Sequence, residues 1–197
     1  MITLNEVYAA ILHSWALFRG DRGALRAFDA SFDGFWRSFG VIVVLAPFYA
    51  LIFVANHRLD LGPTSEVQPA TLGQFVSWQY LSALVDWVTF PAVIALLAGP
   101  LNIANRFALL IVAHNWTSIL AILPGALVSL LFAIGVLQQS GFLWLSLIVM
   151  IVLWRFRYQV YSAALGGPTG LVIALVAMEF VLSLFIAQSI NLFAGLI

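Results

Sequence analysis

Five long apolar stretches occupy this chain from Phe35 to its last residue, and charged side chains are almost absent from them. A run of ~20 apolar residues is long enough to cross the hydrocarbon layer of a bilayer as a helix. Hydrophobic residues make up 63% of the sequence and charged residues 8%, which is too little charge for the surface of a soluble fold. The sequence therefore predicts an all-α polytopic membrane helix bundle.

Turn-forming residues divide residues 35–197 into five predicted transmembrane helices. The spans are predicted at about 36–55, 75–98, 105–137, 142–165 and 170–194. The third stretch is too long for one straight crossing at ~1.5 Å per residue. Pro124 predicts a kink within it, and a re-entrant pair of helices is the alternative. The first connection, Asn56 to Gln74, is the longest polar segment and contains Gly62-Pro63.

Residues 1–34 are predicted to form amphipathic helices at the cytoplasmic side of the membrane. Over residues 3–19, apolar side chains recur at spacings of three and four, which places them on one helical face. Thr3 and Glu6 fit a capping box, in which each side chain satisfies a free backbone amide of the first turn. Such a helix suits the membrane interface, and packing against the end of the bundle is an equally good alternative.

A second amphipathic stretch follows the break at Gly20 and Gly23 and continues into the first span. Its aromatic side chains fall on one side and its charged side chains on the other. Asp33 and Arg37 lie four residues apart with the acid first, which is the favourable order for an ion pair on a helix. The sequence therefore predicts a pair between these two side chains.

The distribution of arginine predicts the orientation in the membrane. All eight basic residues are Arg, a composition that we interpret as the coding bias of a high-GC bacterium. With the N-terminus inside, only Arg58 falls outside. We therefore expect the bacterial inner membrane, with the N-terminus cytoplasmic and the C-terminus outside. The first residues lack the basic region of a signal peptide, so insertion is expected to depend on the spans themselves.

Ionisable and amide side chains within the spans are expensive to bury in lipid and mark residues of interest. The candidates are Asp86, His114, Asn115, Arg155 and Glu179. If each cytoplasmic hairpin folds back about its turn, Arg155 lies level with Glu179, and Asp86 lies level with Asn115. Together these five residues are predicted to form an intramembrane polar cluster.

The cluster has two interpretations. Polar pairs between helices can fix the helix register without further function. Intramembrane ionisable groups also mark proton relays and substrate paths, and Asp86 beside His114 could pass a proton because imidazole titrates near neutral pH. A cavity at the cluster favours a path, whereas a dry interior favours a structural role.

Most other functional classes lack support in the sequence. The three His residues are isolated and Cys is absent, so no metal-ligand spacing or thiol chemistry is expected. A nucleophile elbow and a phosphate-binding loop are also missing. A formal net charge of zero gives no indication of a nucleic-acid partner. We therefore expect no catalysis and no cofactor.

The order and composition of the spans resemble the Yip-domain family of small five-span membrane proteins. Two stretches are similar to bacterial members: RFALLIVAHNW at 106–116, and WRFRYQVYSAAL at 154–165 before a Gly-Pro turn. Pro47, Pro91 and Gly99-Pro100 lie at matching places in the layout. The long cytosolic arm of eukaryotic members is absent. The resemblance implies membrane organisation or partner binding, and it supplies no catalytic residues.

The expected function is a scaffold or accessory subunit of a membrane complex, acting through protein or lipid contacts. Its partners would be the bilayer and either another membrane protein or a second copy of the chain. The alternative is a small solute, ion or proton transporter that uses the polar cluster, with Pro91 and Pro124 supplying helix breaks. An intramembrane enzyme is a third hypothesis, for which Asp86 and His114 are the only candidate pair.

Overall fold

The computed structural model describes residues 2–60 and 70–196, and these residues form helices and turns without a strand. The helices are α1 Leu4–Phe18, α2 Phe32–Phe39, α3 Val41–Asp60, α4 Leu72–Ala98, α5 Phe107–Ala133, α6 Gln139–Leu165 and α7 Thr169–Phe193, with 3₁₀ turns at Arg22–Ala27 and Ala104–Arg106. Five helical segments are long and apolar enough to cross a membrane, which confirms the all-α polytopic bundle. The central part of the predicted first connection, which contains Gly62-Pro63, lies outside the described residues.

Several helix ends differ from the predicted ones, by up to five residues. α3 continues to Asp60, beyond the expected end near residue 55. α5 ends at Ala133, four residues earlier than expected, because Gly135 adopts a left-handed φ of 79° that leaves the helix. Pro124 lies inside one continuous helix of 27 residues, so the re-entrant alternative is wrong.

The five long helices form a closed ring. α3 packs against α4 and α5, α5 packs against α6, α6 packs against α7, and α7 returns to α4. Spatial order therefore differs from chain order, because α5 lies between α3 and α6. We call the end of the ring near α1 and α2 the N-terminal end, and the opposite end the far end.

α1 packs against α5 and α6 in the N-terminal half of the bundle. Ala10, Ser14 and Leu17 are buried on its inner side. The apolar side chains that were predicted to share one face do not all point toward the bundle, because several large ones remain exposed. The exposed set is Leu4, Tyr8, Leu12 and Trp15. α1 therefore rests on protein with one side and presents a second apolar side outward, and its predicted capping box is confirmed.

The ion pair predicted between Asp33 and Arg37 is wrong. The Arg37 guanidinium binds the Glu6 carboxylate at 3.3 Å and the Asp29 carboxylate at 2.7 Å, which joins α2 to α1 and to the preceding loop. Gly34 permits this arrangement, because a Cβ atom there would lie 2.1 Å from the carbonyl oxygen of Asp29. A contact between segments therefore replaces the local one.

Candidate functional site

Arg157 is the centre of the intramembrane polar cluster. Its Nε lies 3.3 Å from a carboxylate oxygen of Glu179 on α7, and its exposed side-chain fraction is 15%. Its two terminal nitrogens donate to α5, at 3.1 Å to the His114 carbonyl and at 2.9 Å to the Ser118 hydroxyl. The guanidinium therefore joins α6 to both of its neighbours in the ring. Thr117 adds a third acceptor on α5, at 3.3 Å.

A short hydrogen-bond chain meets this ion pair from the N-terminal end. The Tyr161 hydroxyl donates to the second carboxylate oxygen of Glu179 at 2.6 Å. Because that hydroxyl carries one proton, His114 Nδ1, which lies 2.8 Å from it, is the donor in their contact. The same Nδ1 lies 3.7 Å from Glu179. Both Tyr161 and His114 are buried, so the chain is shielded on this side.

Asp86 lies on α4 and is less well paired than Glu179. Its carboxylate accepts one hydrogen bond, at 2.9 Å from the Ser183 hydroxyl on α7. Among the described residues, no Arg or His nitrogen lies within 4 Å of it. The expected hydrogen bond to His114 is also missing from the described contacts, so a direct proton transfer between the two is not supported.

These groups meet at a partly open cavity of about 480 Å³ that is bounded by the ring. All five long helices contribute to its wall. Its ionisable lining residues are Asp86, His114, Arg157 and Glu179, and its hydroxyl and amide lining residues include Tyr49, Asn56, Ser118, Ser129, Ser146 and Ser183. The remainder of the wall is aliphatic or aromatic. A volume of this size suits a small organic molecule.

Two predicted cluster residues point elsewhere. Arg155 hydrogen-bonds Gln159 on its own helix and lies over the Phe18 ring of α1, with 5.6 Å between the guanidinium carbon and the ring centroid. Asn115 donates to Ser38 of α2 at 2.9 Å, and its side-chain oxygen has no donor among the described residues. Arg155 and Asn115 therefore stabilise the N-terminal elements and do not belong to the cavity.

The error with Arg155 has a geometric cause. Hairpin arithmetic places residues at a depth along the bundle but does not give their direction around the helix. Positions 155 and 157 differ by only ~3 Å in depth but by ~200° in direction, so only one of them can face α7. Arg157, which is not among the predicted cluster residues, is the partner of Glu179.

Tyr161 belongs to the polar site but is also not among the predicted residues. It lies four residues after Arg157, one helical turn nearer to the N-terminal end, so both side chains share a face of α6. A tyrosine one turn from a buried arginine was the available signal. The described residues contain no group of three His, Asp or Glu side chains spaced to hold a metal ion.

Comparison of the chain with protein-family models, with curated proteins and with solved structures finds no match.

Proposed function

We propose that this chain binds a small solute or ion within the membrane and moves it across, using the cavity inside the five-helix ring. The observation that carries the proposal is the convergence of Asp86, His114, Arg157 and Glu179, from four helices, on one cavity. In a bundle without a transport path, buried charged groups would not need an empty space beside them. Here the space is large enough for a ligand, which favours the transporter alternative over the scaffold.

The proposal extends to orientation and location. In the structure, Arg22 contacts Ser162 at the N-terminal end of the bundle, and Arg19, Arg26, Arg37 and Arg106 belong to the segments near that end. Arg58 lies at the far end, where it donates to the Ala133 carbonyl. This distribution supports a cytoplasmic N-terminal end in a bacterial inner membrane. The Yip-domain resemblance remains a prediction.

The sequence contains no cysteine, so the labelling of a single introduced cysteine can be measured without background. Ser146 lines the cavity, so Ser146→Cys should react with a membrane-impermeant thiol reagent. Labelling would be measured by mass on inside-out and right-side-out vesicles. A transported solute requires access from both sides over time, so labelling in both preparations is expected.

Two neighbours on α6 provide matched controls. Leu147, adjacent to Ser146, is on the outer surface of the bundle, and Val160 is fully buried away from the cavity. Leu147→Cys and Val160→Cys should therefore resist the reagent. If Ser146→Cys also resists it from both sides, the cluster is dry and the scaffold hypothesis is favoured. Labelling from one side only would contradict transport and leave a binding protein.

A further inference from the structure

The charges that line the cavity do not balance. Arg157 and Glu179 form an ion pair and cancel, and each is further satisfied by hydrogen bonds. Asp86 is the remaining carboxylate, and Ser183 is its one hydrogen-bond partner among the described residues. A carboxylate at membrane depth without a cation in contact is unfavourable unless it takes up a proton or a positive charge joins it. With Asp86 ionised, the cavity is therefore one positive charge short.

Aromatic side chains line the same cavity as this carboxylate. Trp87 and Phe90 come from the same helix as Asp86, and the other aromatic lining residues come from three other helices: Tyr49, Phe142, Trp154 and Phe180. The faces of aromatic rings attract cations, and their area also suits apolar substituents. The wall therefore fits an organic cation with apolar groups better than a hydrated metal ion, which would require several oxygen ligands.

One part of the wall is thin and faces the outside of the bundle. Trp154, Val176 and Phe180 line the cavity and also line a second groove of about 210 Å³ between α6 and α7. The other lining residues of that groove are Tyr158, Ile173 and Ala177. The Trp154 and Phe180 rings meet edge to face, with centroids 4.8 Å apart. These three side chains thus form a boundary that the cavity shares with an apolar groove on the outside of the bundle.

From the unbalanced carboxylate, the aromatic wall and the adjoining groove, we infer that the ligand is a lipophilic monovalent cation. Asp86 supplies the counter-charge, and the seam between Trp154 and Phe180 is the route from the bilayer. The inference rests on the proposed function, because it names the ligand class of the same cavity.

The test compares two probes of the same shape and opposite charge, tetraphenylphosphonium and tetraphenylborate. Binding of each would be measured by equilibrium dialysis against the full chain in nanodiscs of zwitterionic lipid, with empty nanodiscs subtracted. The chain should bind the phosphonium saturably and the borate not. Asp86→Asn should weaken phosphonium binding at least ~10-fold, as expected for a lost charged contact. Asp86→Glu should retain most of the binding.

Asp33→Asn is the matched control, because Asp33 is an exposed carboxylate on α2 outside the cavity. It should bind the phosphonium as the unmodified chain does. Equal binding of both probes, or unchanged affinity in a folded Asp86→Asn variant, overturns the inference. If Asp86→Asn does not fold, the difference between the two probes on the unmodified chain still decides.

Failure of this inference can be told apart from failure of the proposed function. If Ser146→Cys is labelled but the phosphonium does not bind, the cavity is hydrated and its ligand belongs to another class. If Ser146→Cys resists the reagent from both sides, the proposed function fails first.

Discussion

The two ends of the bundle are filled in different ways. At the N-terminal end, Leu110, Val160 and Val172 have no exposed surface and belong to one continuous apolar core. Toward the far end, a small separate core is centred on Ala55, Val128 and Phe142. Between the two lies the cavity. The same ring of helices is thus closely packed at the N-terminal end, which we call the packed end, and contains the cavity further along.

The difference shows what the N-terminal elements contribute. α1 packs on α5 and α6, and α2 is held by hydrogen bonds from Asn115 to Ser38 and from the Trp87 indole to the Phe39 carbonyl. These contacts hold the helices together at one end. The cavity at mid-depth can then stay open without the ring collapsing.

The largest effect is expected where the packed end meets the cavity, at Arg157. Arg157→Met leaves Glu179 buried without its cation, which should lower the free energy of unfolding by about 3–5 kcal/mol. Reversible unfolding in mixed micelles would measure the change. Arg155→Met, two residues away, is the control and should cost at most about 1 kcal/mol, because Arg155 is exposed and its contacts are with Gln159 and the Phe18 ring. Similar losses for both variants would contradict the assignment of Arg157 as the partner of Glu179.

Leucine truncation should distinguish the packed end from the cavity wall. Leu110 is fully buried in the packed end, and Leu153 lines the cavity. Leu110→Ala should cost roughly 2–4 kcal/mol of unfolding free energy, because it removes close contacts and leaves a hole. Leu153→Ala enlarges an existing space and should cost less than about half as much. Equal losses would indicate that the cavity closes up in the membrane.

A smaller effect is expected from single hydroxyl groups. Ser38→Ala removes the acceptor for the Asn115 amide at the packed end and should cost about 1 kcal/mol, measured by the same unfolding assay. Ser146 lines the cavity, where water can replace a lost contact, so Ser146→Ala should be nearly neutral. A larger loss for Ser146→Ala would reverse the comparison.

The smallest effect concerns pH at the outside of the packed end. Hydrogen bonds from Thr3, together with the charge of Arg37, lower the pKa of Glu6 below its ordinary value of 4.5. The charged form therefore stabilises the folded state above pH 4.5, and this contribution is lost as the pH falls through the lowered pKa. Glu6→Gln keeps the capping box but removes the charge, so its thermal midpoint should depend less on pH below that value.

Arg37→Gln is the companion variant, since Arg37 binds both Glu6 and Asp29. Hydrogen bonds from Ser31 and the charge of Arg37 also lower the pKa of Asp29. Removing the shared cation should reduce the same pH-dependent part of stability. A pH profile identical to that of the unmodified chain in both variants would contradict this account.

The sequence identifies many of the residues of the candidate site but not the contacts among them. Asp86, His114 and Glu179 were identified because charge and imidazole are rare inside apolar spans, and all three line the cavity. Arg155 and Asn115 were assigned to the cluster because their depth matched. Depth follows from position along the chain, whereas direction depends on how each helix is turned against its neighbours.

The N-terminal region illustrates the same limit. The capping box at Thr3 and Glu6 was predictable because its partners lie within one helical turn. The pairing of Arg37 with Glu6 and Asp29 was not, since it requires α2 to fold back onto α1. Arg37 therefore pairs with Glu6 and Asp29, which are further from it in sequence than Asp33 is.

The sequence by itself determined that this chain is a bundle of five membrane-spanning helices, because long apolar runs with little charge are stable only where lipid replaces water. Tertiary structure alone decided the order of helices in the ring, the partner of Glu179 and the existence of a cavity. These depend on which face each helix presents to another. In a bilayer that choice is made by packing and a few polar contacts, since lipid and protein are equally apolar neighbours for most of the surface.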